Sequence, residues 1–147
     1  MTGAAAPAAG RALVLDTNIV LDLLVFRDPS TLALADALSR GEWVWHATPA
    51  MREELHRVLG YPALQSWIAR TAGDAAQVMQ QFDRLSQVHP DVATGAPRCR
   101  DPDDQKFIDL ALALTARLLS KDQAVLRLRR ALAARGVVVA TCFSPAA

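Results

Sequence analysis

Short apolar runs alternate with helically spaced apolar stripes along this chain, and that alternation predicts its elements. RALVLD (11–16) is an apolar run ending on a carboxylate, as expected of a strand buried on both faces. TNIVLDLLV (17–25) has helical spacing and breaks over 27–30. Ser30 is placed to cap a second helix to about Arg40, with Gly41 as its stop. EWVWH (42–46) reads as a second strand, and Thr48-Pro49 opens a helix that Gly60 closes. Helices are expected near 62–70 and 74–86, separated by Gly73, with Asp74 capping the second. A loop with Pro and Gly spans 89–100, and Asp101-Pro102 repeats the cap-then-proline signal to start a helix reaching about Ala116. RLLS (117–120) is a short strand, 123–135 a basic amphipathic helix stopped by Gly136, and VVVAT (137–141) a last strand. Residues 1–10 read as a frayed tail, leaving 11–143 as one domain.

Strands separated by helices predict parallel βαβ units and an α/β layered fold. In such a fold the carboxyl ends of the strands and the starts of the following helices share one edge, where sites gather.

Composition narrows the class. At 147 residues, 52% hydrophobic and 21% charged, the chain fits one globular domain and excludes wholesale disorder. Cys99 and Cys142 are too few for a disulfide framework or a cysteine-rich zinc site. No uncharged apolar run is long enough to span a membrane, and the small-residue N-terminus lacks the basic start of a signal peptide. A cytoplasmic location is therefore expected. The net charge of +1 does not announce a nucleic-acid binder. Of the 16 cationic residues all but Lys106 and Lys121 are arginine, which suits bidentate phosphate contacts but equally reflects an arginine-biased genome. GxGxxG and GxxxxGK[ST] are absent, so dinucleotide and P-loop chemistry have no support.

The carboxylates are more informative. Asp16 ends the first strand and Asp122 follows the strand at 117–120, so both belong to the carboxyl edge of a parallel sheet. Glu54 falls inside the apolar stripe of Met51, Leu55, Val58 and Leu59, whereas Glu53 faces away. A carboxylate there requires a cation nearby. Asp103 and Asp104 flank the stripe of the next helix on either side, and periodicity does not choose between them. Asp101 reads foremost as the cap beside Pro102. Oxygen-only clusters of this kind suit Mg²⁺ or Mn²⁺. Asp22 and Asp109 are read as solvated helix positions. His46, His56 and His89 share no ligand spacing, and Trp43 and Trp45 are read as packed strand residues. Strand alternation turns Ser120 and Asp122 towards the site and Lys121 away from it.

VLDTN (14–18), REEL (52–55), CRDPDDQKF (99–107) and SKD (120–122) resemble, in order and spacing over 12–143, the PIN-domain (PilT N-terminus-like) nucleases. The subgroup is that of toxins from toxin–antitoxin systems. DTN by itself is a weak signal, and CRDPDDxKF a far more specific one. The resemblance implies a three-layer PIN-like α/β fold, with a central parallel sheet of four or five strands flanked by helices. It also implies Mg²⁺- or Mn²⁺-dependent endoribonuclease activity leaving 5′-phosphate and 3′-hydroxyl ends. Catalytic and metal-holding roles carry over to Asp16, Glu54, Asp104 and Asp122, with Asn18, Ser120 and Asp101 in support. The implied partners are an RNA substrate and a cognate antitoxin that blocks the acidic groove, with no membrane and a homodimer left open.

Where relatives commonly read TGDKDLL this chain reads SKDQAVL (120–126), so Lys121 replaces a glycine and Ala124 an acid. That departure motivates a rival reading, a binding module on the same fold with a weakened site. An aspartyl-phosphate phosphatase is disfavoured, because Asn18 stands where that chemistry wants a second aspartate.

Overall fold

A computed structural model describes residues 11–144. The expected tail, 1–10, lies outside the described residues. Five parallel strands form one sheet in the order β3-β2-β1-β4-β5. They are β1 (Arg11–Leu15), β2 (Trp43–Ala47), β3 (Ser86–Val88), β4 (Arg117–Leu119) and β5 (Val139–Ala140). Among the described residues, eight helices flank it: α1 (Thr17–Leu24), α2 (Leu32–Arg40), α3 (Pro49–Leu59), α4 (Pro62–Thr71), α5 (Ala75–Leu85), α6 (Gln105–Leu114), α7 (Gln123–Leu126) and α8 (Arg129–Ala133). This is the expected three-layer α/β architecture.

The middle of the sheet is dry because β1 and β4 carry apolar residues on both faces. Leu13, Val14, Leu118 and Leu119 are fully buried, and Trp45 of β2 packs edge-on against Phe82 of α5. Trp43 and Trp45 are thus core residues, as their alternation suggested.

Four local readings are corrected. β3 was not anticipated: Gln87 and Val88 are exposed, so no burial pattern marks this edge strand, and only its pairing with β2 (Trp45↔Ser86) creates it. Ser30 does not cap α2; Asp28 accepts from the Ser30 amide at 2.9 Å and starts a 3₁₀ turn (Pro29–Thr31) ahead of the helix. The helix expected from 101 likewise begins as a 3₁₀ turn (Pro102–Asp104) before α6. The stretch 123–135 is not continuous, because the Leu128 amide bonds back to Val125 O (3.0 Å), a tighter 3₁₀ step that separates α7 from α8. No helix among the described residues is long and apolar enough to cross a membrane.

Candidate metal centre

The site grows from the register of two neighbouring strands. β1 and β4 pair through Leu15↔Leu119, so the chain leaves both at the same level, with Asp16 beside Ser120. Asp16 donates its amide to Leu119 O (2.9 Å) and accepts from the buried Ser120 hydroxyl at 2.5 Å. The same hydroxyl accepts from the Asp122 amide (3.0 Å), and Asp122 then caps α7 by accepting from the Ala124 amide (2.8 Å). Ser120 thereby orients one acid and seats the backbone of the other.

Asp104 arrives from the 3₁₀ turn before α6. Here the structure decides what periodicity left open: Asp104 is buried and Asp103 is exposed. Asp101 caps that turn, accepting from the Asp103 amide at 3.0 Å. Asp16, Asp104 and Asp122 bring one carboxylate oxygen each within 4.8 Å of one another.

Glu54 stands beside this group rather than in it. One carboxylate oxygen accepts from the Thr17 hydroxyl (2.6 Å) and the other meets the Lys106 ammonium. Lys106 is the cation that a carboxylate in the stripe of α3 called for, and it comes from α6. Its place in the sequence gave no sign of this, because the pairing joins separate helices. Asn18, in the first turn of α1, turns a buried Oδ1 that has no hydrogen-bond partner among the described residues.

Three acids so close repel one another. Burial, and then the charge of Asp122, raise the Asp16 pKa, although the Ser120 hydrogen bond opposes the rise. Asp104 is pushed up to about 8, first by burial, then by the charge of Asp16 and a hydrogen bond shared with Asp122. Its Oδ2 is buried without a partner among the described residues. An all-oxygen donor set with an orphaned carboxylate oxygen fits a hard divalent cation, which would take the place of the proton.

Two acids read as solvated are not. Asp22 is buried on α1 and meets Lys121 at 2.5 Å. Asp109 is buried on α6 and accepts from Gln105 (2.9 Å) and the Gly95 amide (3.2 Å). The available signal was that α1 and α6 are apolar nearly all round, which leaves no solvated face for an acid. Lys121 does turn away from the three carboxylates, towards Asp22. His46 and His89 do not join them, for among the described residues the only acidic or imidazole group with metal-ligand proximity is Asp16, Asp104 and Asp122.

A family profile described as PIN domain matches residues 12–124, a span that holds all these acids. No curated protein matches the chain significantly.

Proposed function

Because the chain belongs to the PIN domain family, we propose that it is a Mg²⁺- or Mn²⁺-dependent endoribonuclease, acting as the toxin of a toxin–antitoxin pair. The observation that carries this reading is the convergence of Asp16, Asp104 and Asp122 within 4.8 Å at the carboxyl edge of the sheet. Those residues would hold the cation. A bound divalent ion would supply positive charge for the scissile phosphate and a water of lowered pKa.

The protein's own groups hold the acids in place. Ser120 keeps Asp16 aimed at the centre and presents Asp122 through its amide. Glu54, both of whose oxygens are engaged, acts as a positioning residue that ties α1 and α6 beside the acids. Asn18, two residues after Asp16, has a buried acceptor without a partner among the described residues. Lys121 pairs with Asp22 away from the centre, and although Ala124 brings no acid of its own, its amide seats Asp122, which stays beside Asp16 and Asp104. That argues against the weakened binding module.

The test is cleavage of a mixed RNA pool with and without EDTA. The expected result is cutting that EDTA abolishes and Mn²⁺ restores, with 5′-phosphate and 3′-hydroxyl ends. RNA left intact in both conditions, by a protein that still binds it, would favour the binding module. The toxin role predicts growth arrest on expression, relieved by Asp104→Asn and by an antitoxin whose cationic side chain covers the acidic edge. Arrest that persists with Asp104→Asn would sink it.

A further inference from the structure

The loop leading into the Asp101 turn is held by buried polar groups that the proposed chemistry does not use. Gln105 is 7% exposed and Asp109, one turn further along α6, is 4% exposed. Gln105 accepts from the Cys99 amide at 2.6 Å, and its own amide donates to Asp109 (2.9 Å) and to Pro97 O (3.2 Å). Asp109 also accepts from the Gly95 amide at 3.2 Å, and Arg135 donates to Ala96 O at 2.6 Å. The backbone over 95–99 is therefore fixed at each turn. Apart from Asp109 Oδ2, which is buried without a partner among the described residues, the polar atoms of this pair are bonded to each other or to this one loop's backbone, so together they specify its path.

That path sets charge beside the acids. Cys99 turns inward, its thiol on Ala124 O (3.6 Å), while Arg98 and Arg100 on either side of it are exposed. The amide of the same Ala124 is bonded to Asp122, and Arg100 is followed directly by the Asp101 turn that delivers Asp104. Arg98 and Arg100 are thus the chain neighbours of a residue that touches the start of α7, next to the Asp122 cap. Lys106 and Lys121, the other cations nearby, are committed to Glu54 and Asp22, whereas neither Arg98 nor Arg100 pairs with a carboxylate among the described residues. A phosphate strand approaching three carboxylates meets repulsion, and unpaired guanidinium forks at the rim are the groups suited to offset it.

We propose that Arg98 and Arg100 are the contacts for backbone phosphates of the nucleic-acid strand next to the scissile bond, and that Gln105 with Asp109 is the positioning pair that sets them there. The ligand class rests on the nuclease reading, but binding is measurable without cleavage.

The experiment is fluorescence anisotropy of a labelled single-stranded oligoribonucleotide with the full chain, Ca²⁺ replacing Mg²⁺, across a series of KCl concentrations. Arg98→Gln/Arg100→Gln should weaken binding about tenfold at low salt and flatten the slope of log K against log[salt] by about 1.4, or about 0.7 per lost contact. Arg40→Gln removes a charge in the last turn of α2, at the opposite edge of the sheet, and should leave the slope unchanged. Gln105→Leu removes no charge, yet should flatten the slope, with little further loss when combined with the arginine pair. Gln105→Met, which likewise removes the hydrogen bonds and no charge, gives the same readout if Gln105→Leu fails to fold. An unchanged slope in the double arginine variant, an equal loss in Arg40→Gln, or no strand binding by the unmodified protein would overturn the proposal. Salt-sensitive binding of the expected kind without Mg²⁺- or Mn²⁺-dependent cutting would sink the nuclease reading alone. Cutting with an unchanged slope would sink this inference alone.

Discussion

Asp104 is buried against two other acids, and the consequence is a stability that depends on pH in an unusual sense. Its folded pKa of about 8 lies above the ordinary 3.8, so between those values the folded protein binds more protons than the unfolded chain. Stability of the metal-free protein therefore falls as pH rises through that window and levels off above it. Asp104→Asn removes the conflict and keeps the side chain's size. Denaturant unfolding should show it more stable than the unmodified protein at about pH 8, with the difference shrinking steadily as pH falls and nearly gone at about pH 4, and RNA cleavage abolished. A variant that is less stable throughout, yet still cuts RNA, would make Asp104 a structural residue. Lys121 makes the opposite case. Lys121→Ala leaves buried Asp22 unpaired and should cost about 1–2 kcal/mol, which a further Asp22→Asn should recover. Its effect on kcat/KM should stay under about threefold, whereas Asp122→Asn should lose at least about a hundredfold. The reverse pattern would mean that the Lys121 ammonium works on the phosphate.

At the scale of elements, one cross-tie holds three helices around the acids. Glu54 on α3 takes the Thr17 hydroxyl of α1 and the Lys106 ammonium of α6. Lys106→Met would leave Glu54 as an uncompensated carboxylate whose charge already raises the Asp16 pKa. It should destabilise the fold by about 2 kcal/mol, and Glu54→Gln in the same chain should restore most of that. Additive losses in urea unfolding would show that the pair is not coupled. The need for such a tie was legible, since Glu54 sits in an apolar stripe. The identity of the cation was not, because nothing in α3 refers to a lysine some fifty positions away on another helix. Likewise Asp103 and Asp104 border their stripe equally until the 3₁₀ turn rotates one inward and the other out.

For the molecule as a whole, a cation that binds only the folded state should raise the melting temperature, by the equivalent of about 2.7 kcal/mol at a hundredfold excess over Kd. Because the ion displaces the Asp104 proton, affinity should climb with pH towards about 8 and then flatten. Thermal melts with Mn²⁺ and Mg²⁺ at several pH values check both points; no shift with either ion removes the metal centre. The alternation of apolar runs with amphipathic stripes was enough to determine, from the residues by themselves, a parallel α/β layering. It also determined which edge collects Asp16 and Asp122, since a strand's end and the next helix's start are local facts. Tertiary structure alone decided the rest. The short edge strand β3 exists only through pairing with β2, Lys106 and Lys121 are assigned to Glu54 and Asp22, and Gln105 and Asp109 are buried beneath a loop. Each of these depends on groups brought together from distant positions, where the cost of leaving a charge or amide unpaired selects the partner. No local pattern encodes that choice.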